Sequence, residues 1–185
     1  MNQKVFKTDF ISFTDRIKND IIAGVVIIFG ITIYWFCANE VNYIESIFLI
    51  FFIIVGLLYI IEHYINSINF ISEIRIDKEK ITLIGYEFNT KWEEEIGIQK
   101  TEIKIKSKTR GRFNVHYLLR LTCEKEVYDI NKLFNWDYFT IVEIYKEFKN
   151  IKEEKIILDE KFILDNVLNK AKGLSPLDVL FNRTE

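Results

Sequence analysis

Ile21–Ala38 (IIAGVVIIFGITIYWFCA) and Tyr43–Ile61 (YIESIFLIFFIIVGLLYII) decide how this chain is built. From Ile21 to Ile61 the only formal charges are Glu40 and Glu45, although 28% of the 185 residues are charged. A helix rises about 1.5 Å per residue, so a hydrocarbon core of about 30 Å takes roughly 20 residues. Each stretch meets that length once its flanks are counted, and each is apolar on every side. A soluble protein of this size has too little other apolar surface to wrap two such helices. The reading is a transmembrane hairpin over residues 20–66, with spans at about 21–38 and 43–61.

A cleaved leader is a poor account of the first span. Its apolar run exceeds the 7–15 residues of a signal-peptide core, and no small-x-small site follows. Trp35 and Phe36 are too bulky to precede a lipidated Cys37. Sidedness follows from Lys and Arg near the spans. Lys4, Lys7, Arg16 and Lys18 precede the first; Asn39–Asn42 between the spans hold none; Arg75, Lys78 and Lys80 follow the second. Both termini are therefore expected in the cytoplasm, with the turn Asn39–Asn42 outside. Tyr34, Trp35 and Tyr43 mark the outer interface, and Tyr59, His63 and Tyr64 the inner one. The Ile-, Lys-, Asn- and Phe-rich composition points to an AT-rich bacterial genome, hence a bacterial inner membrane. No ionisable residue sits at mid-span, and Gly24, Gly30 and Gly56 form no GxxxG pair, so an anchor is expected rather than an ion path.

Upstream, Phe6, Phe10, Phe13 and Ile17 recur at spacings of four, three and four. That is one helix face, and it predicts an amphipathic interfacial helix over residues 1–19, with a short strand as the rival. Downstream, the period shifts to two. Phe70–Asp77 and Ile81–Tyr86 read as a hairpin about an Asp77–Lys80 turn, and Phe88–Trp92 as a third strand. Thr101–Ser107, Phe113–Thr122 and a strand ending at Val127–Ile130 follow, with a turn at Thr109–Arg112. Helical spacing returns over about 135–150 through Tyr138, Ile141, Tyr145 and Phe148. The sum is an α+β domain over 68–150 with roughly six antiparallel strands and a capping helix. The tail over 151–185 predicts a helix from Glu160 to Lys172, capped by Asp159 and stopped by Gly173, then a helical turn through Leu177–Phe181. It would pack on its own domain, dock a partner or serve self-association.

Six short strands capped by one helix are the plan of a pleckstrin-homology-like half-open barrel. The run from IRIDKEKITLIG through TKWEEEIGIQK to NKLFNWDYFTIVEIYKEF resembles a bacterial pleckstrin-homology domain. Trp92, Glu95 and Ile96 match that family's Trp before an acidic-Ile turn. A membrane hairpin ahead of such a domain is similar to the YcxB-like group of small bacterial membrane proteins, over about residues 20–150. Members of that group tend to begin with a strand before the hairpin, a pattern from which this chain departs, since Phe6–Ile17 reads as helical. The resemblance implies no enzyme activity, and binding of lipid, peptide or protein.

The most pointed local feature is basic. Lys100, Lys104, Lys106, Lys108, Arg110 and Arg112 face a single acid, Glu102, and from 104 onward they fall on every second residue. Alternate residues of a strand share a face. Lys104, Lys106, Lys108, Arg110 and Arg112 are therefore the candidate contacts for anionic lipid headgroups or a protein partner; the plain alternative is a solvated face whose lysines protect a sheet edge. Nucleic acid fits poorly, because the net charge is −2 and no aromatics interleave with the stripe. Two Cys and two His give no metal-ligand spacing, and Cys37 and Cys123 are not expected to pair. No catalytic motif occurs, His116 reads as structural, and Glu93–Glu95 point in different directions. No cofactor is expected. The function expected is a non-enzymatic membrane-anchored binding or scaffold protein; the alternative is an oligomeric subunit of a transport or secretion complex, or a toxin-immunity protein.

Overall fold

The computed structural model describes residues 3–37, 43–110, 114–133 and 135–174. The chain divides into two compact units. One is helical and comprises Ile11–Asn69 with Glu87–Asn89; the other comprises Met1–Phe10, Phe70–Tyr86 and Thr90–Glu185.

The helical unit holds α1 (Phe13–Cys37) and α2 (Tyr43–Ile68). Both are long and apolar enough to cross a membrane, and only 6% of the most apolar stretch of each is buried. Val26, Phe29, Phe48 and Leu58 are among the side chains turned outward, each at least 59% exposed. The helices meet through two glycine notches. A Cβ on Gly24 would collide with the Ile60 side chain, and one on Gly56 would lie 3.4 Å from Ile28. Gly24 and Ile28 are one turn apart on α1, as are Gly56 and Ile60 on α2, so each helix offers a notch and a knob. Small residues let helix backbones approach closely in this way. The pairing runs between the helices, where a search for GxxxG within either one does not find it. Asp20 adds a polar clamp: its carboxylate accepts from Tyr59 Oη at 3.1 Å and lies 3.0 Å from His63 Nδ1.

The loop Glu87–Asn89 belongs to this unit because its backbone is pinned there. Phe88 N–H donates to the Ile68 carbonyl at 2.8 Å, Phe13 N–H donates to Asn89 Oδ1 at 2.8 Å, and Arg16 Nη2 donates to the Phe88 carbonyl. Phe88 takes φ 53°, a left-handed conformation that bulky residues adopt only when held. Its ring packs 4.9 Å from that of Phe13.

The second unit is α+β. β1 (Lys4–Lys7), β2 (Asn69–Ile76), β3 (Lys80–Glu87) and β4 (Thr90–Gly97) form one sheet in that order; β5 (Thr101–Arg110), β6 (Asn114–Cys123) and β7 (Glu126–Ile130) form a second. β1–β2, β5–β6 and β6–β7 pair antiparallel, and the short turns joining β2 to β3 and β3 to β4 call for the same sense there. Among the described residues the two sheets do not close into a barrel. α3 (Tyr138–Ile151) and α4 (Leu158–Ala171) complete the unit. A single core joins both sheets and both helices: Ile74, Ile76 and Leu83 meet Leu119, Leu121 and Ile130, closed by Ile141, Ile144 and Phe148 of α3 and Leu164 and Val167 of α4. Gly85 is required by close approach, since a Cβ there would overlap the Trp92 ring and lie 2.7 Å from the Phe70 carbonyl.

The N-terminal reading needs correction. No helix spans Phe6–Ile17. Lys4–Lys7 is a strand, paired antiparallel with β2 from Lys4↔Ile76 to Lys7↔Glu73, and the pairing continues where Thr8 N–H donates to the Ser72 carbonyl at 2.9 Å. Phe6 enters the domain core at 8% exposure, Phe10 stands against the Tyr86 ring at 4.5 Å, and Phe13 opens α1. The hairpin is thus inserted between two paired strands, and the strands among the described residues number seven. Three smaller differences follow from local hydrogen bonding. The third strand after the hairpin begins at Thr90, beyond the held Phe88 loop. Glu95 and Ile96 lie inside β4, and the turn comes later, as a 3-10 helix at Ile98–Lys100. α4 is capped at Ile157, because Glu160 reaches back to accept the Ile157 N–H at 3.0 Å. Asp137 caps α3 by accepting from Thr140 N–H at 3.1 Å. The turns expected at Asn39–Asn42 and at Leu177–Phe181 lie outside the described residues.

The strand assignment separates two phenylalanines that a helix would treat alike. Phe6→Ala should lower the unfolding free energy of the full chain in detergent by about 3 kcal/mol, the usual range for a buried aromatic. Phe10→Ala, at a site 52% exposed, should cost less than about 1 kcal/mol. Chemical denaturation followed by Trp fluorescence reads both.

Candidate functional site

β5 alternates in burial as its sequence does. Thr101 and Ile103 are buried, while Glu102, Lys104, Lys106 and Lys108 are exposed. Across the β5–β6 ladder, Lys104 stands opposite Arg120, Lys106 opposite Leu118 and Lys108 opposite His116. Lys104 Nζ lies 2.9 Å from Glu102 Oε2, and Arg120 is tied to Asp129 of β7 by two hydrogen bonds, of 2.5 and 2.7 Å. Arg120 thereby carries its own counter-charge. The lysines of β5 sit on exposed positions, where ion pairs contribute little.

The structure brings Lys104, Lys106 and Lys108 together on one face. Arg110 is the last residue of β5, opposite Asn114. Arg112 lies outside the described residues. Lys100 is not part of the row; it belongs to the 3-10 turn and pairs with Glu124 at 3.0 Å. His116 is tied to the first turn of α3, its Nδ1 being 3.1 Å from Tyr138 Oη. The three glutamates of β4 go to separate partners: Glu93 towards Arg75 at 3.9 Å, Glu94 to the Tyr128 hydroxyl at 2.5 Å, and Glu95 to Lys80 at 2.6 Å. Cys37 and Cys123 are free thiols. Among the described residues, no group of three or more His, Cys, Asp or Glu is placed to hold a metal.

Beside β5 runs a groove of about 260 Å³ that the sequence gives no sign of. Lys104, Ile105 and Lys106 of β5 line one side; Tyr145 of α3 and Glu160 and Ile163 of α4 line the other. Its chemistry is an apolar floor between cationic and anionic walls. Burial pushes the Tyr145 hydroxyl above its ordinary value, and its hydrogen bond to Glu160 adds to the shift. Burial would raise Glu160, but hydrogen bonds from Tyr145, Lys149 and the Ile157 N–H outweigh it and hold the carboxyl below its usual range. Lys149 Nζ bridges Glu154 and Glu160 at 2.9 Å each, and Lys152 Nζ reaches Glu154 at 2.9 Å. This network fixes the start of α4 against α3 and so sets the width of the groove.

Comparison with known proteins returns no match among family models, curated proteins or solved structures.

The network gives domain stability a defined pH dependence. Glu160 and Glu154 both have folded values below the ordinary 4.5. Their contribution is fully present above the unfolded value and is lost as pH falls through the folded one. Melting temperature should therefore drop as pH is lowered below about 4.5. Glu160→Gln should melt lower than wild type near pH 7 yet lose less between about pH 5 and 3. Circular dichroism melts of the full chain in detergent provide the measurement.

Proposed function

We propose that this chain is a membrane-tethered, non-enzymatic binding module of the bacterial inner membrane. In this reading α1 and α2 span the bilayer, both termini are cytoplasmic, and the α+β unit is a pleckstrin-homology-like domain held at the inner leaflet. The cationic row on β5 meets anionic lipid headgroups there.

Three observations support the parts. β1 precedes the hairpin and β2 follows it, yet they pair residue for residue. If both helices cross, their flanks must emerge on one side, as an even number of spans requires. The Lys and Arg of those flanks make that side the cytoplasm. Antiparallel sheets followed by helix α3 support the pleckstrin-homology-like reading, to which α4 is an addition.

The observation that carries the binding function is the row Lys104, Lys106 and Lys108, exposed side by side. Near an anionic leaflet each cation contributes about 1 kcal/mol. Three give about 3 kcal/mol, too little to recruit a soluble protein. A domain already anchored by a hairpin loses no translational freedom to make the contact, so the same energy suffices to engage the surface. Lysines, isoleucines and a tyrosine held by a glutamate form a contact surface.

Amine-reactive footprinting of the full chain in nanodiscs tests this reading. Lys104, Lys106 and Lys108 should be modified several-fold more slowly in phosphatidylglycerol-rich discs than in neutral ones. The difference should vanish at about 0.5 M salt, where screening is short-ranged. Lys125, exposed on the β6–β7 turn, serves as the internal reference. Equal rates in both lipids would remove the lipid-binding reading.

A further inference from the structure

β5 is an edge strand, and the free side of its second half, at part-buried Ile105 and exposed Ser107, is open to pairing. The second sheet runs β5-β6-β7, so β5 has a neighbour on one side only. Thr101 shows which backbone groups face the other way. Its N–H donates to the Ile98 carbonyl, and its own carbonyl accepts from Lys152 Nζ at 3.0 Å. Both groups therefore point away from β6. In an antiparallel ladder, residues alternate between pairs that exchange both hydrogen bonds and pairs that exchange none. Ile103, Ile105 and Ser107 then turn their amides and carbonyls outward with Thr101. Among the described residues none of these three has a backbone partner on that side.

The groove lies along this open edge. A strand added beside β5 would alternate between two environments, since successive side chains point to opposite faces. On one face its neighbours would be Lys104, Lys106 and Lys108; on the other, Ile105 and, across the groove, Ile163. The geometry points to an extended segment of a partner protein, alternating acidic and apolar residues, that pairs with β5 as an added strand. The acidic side chains would face the lysine row, and the apolar ones would enter the groove. A second copy of this chain is a poorer occupant through the same edge, because it would set lysine opposite lysine, a destabilising cross-strand pair. Lysines on an edge strand also discourage indiscriminate pairing. Here they select the sign of the partner.

The protein ligand would share Lys104, Lys106 and Lys108 with the lipid contact proposed above, and only the ligand would use the strand's backbone edge. The test uses the full chain in neutral-lipid nanodiscs and a fluorescein-labelled decapeptide of five Glu-Val repeats. Anisotropy should show saturable binding that weakens with salt, and a Lys-Val decapeptide should not bind. Amide hydrogen exchange should slow at Ile105 and Ser107, while buried Ile103 should be protected with or without peptide. Ser107→Pro removes one outward N–H at an exposed edge position, where proline is tolerated. That variant should melt as wild type does, bind the Glu-Val peptide about tenfold more weakly, and keep the wild-type lysine footprint in anionic discs. No binding of the Glu-Val peptide, unchanged affinity in a folded Ser107→Pro, protection confined to β4 or β7, or binding that occurs only with self-association in light scattering would each overturn the proposal. The footprint in anionic discs reports separately on the lipid reading, so either can fail alone.

Discussion

Apolar surface that the chain does not cover is the constraint from which the rest follows. α1 and α2 bury only 6% of their most apolar stretches, and large side chains such as Phe29 and Leu58 face outward. Exposed apolar surface costs roughly 25 cal/mol per Å² in water. Soluble monomers rarely carry contiguous patches beyond a few hundred Å². Between the helices, burial is limited to a narrow seam where Gly24 seats Ile60 and Gly56 faces Ile28. Such a seam suits hydrocarbon, where helices gain from close packing and short polar links such as the Asp20 clamp rather than from hiding oil.

The second constraint is topological. β1 and β2 are neighbours in a sheet although the whole hairpin lies between them. The ladder demands that the chain leave the domain and return to it at adjacent points, and two helices joined by a short connection satisfy that demand. The domain in turn cannot be cut free at residue 68 without losing β1, whose Phe6 helps fill the core. Anchor and domain are consequently interleaved in sequence, while remaining two compact units in contacts.

What could be read in the sequence, and what could not, divides along the range of the interactions. The two long apolar helices were legible because uncharged runs such as Ile21–Ala38 and Ile47–Ile61 state their solvent locally. The lysine row was legible because a period of two survives in any strand, and the structure leaves Lys104, Lys106 and Lys108 exposed. β1 was not legible. Four residues are too few for a period, its partner is more than sixty residues away, and Phe6, Phe10 and Phe13 mimic a helix face while serving three different neighbours. The groove was hidden for the same reason: Ile105, Tyr145 and Ile163 come from three elements that only the tertiary fold brings together. Glu160 left a local trace, a carboxylate three residues into a helix, and the more familiar cap residue Asp159 obscured it.

Alkaline carbonate extraction of membranes from cells making the full-length chain tests the central claim most directly. High pH strips proteins held by charge or by a docked surface and leaves those whose helices cross the hydrocarbon. The account predicts recovery of the chain in the membrane pellet, solubilised only by detergent. Recovery of the folded chain in the aqueous supernatant would contradict it.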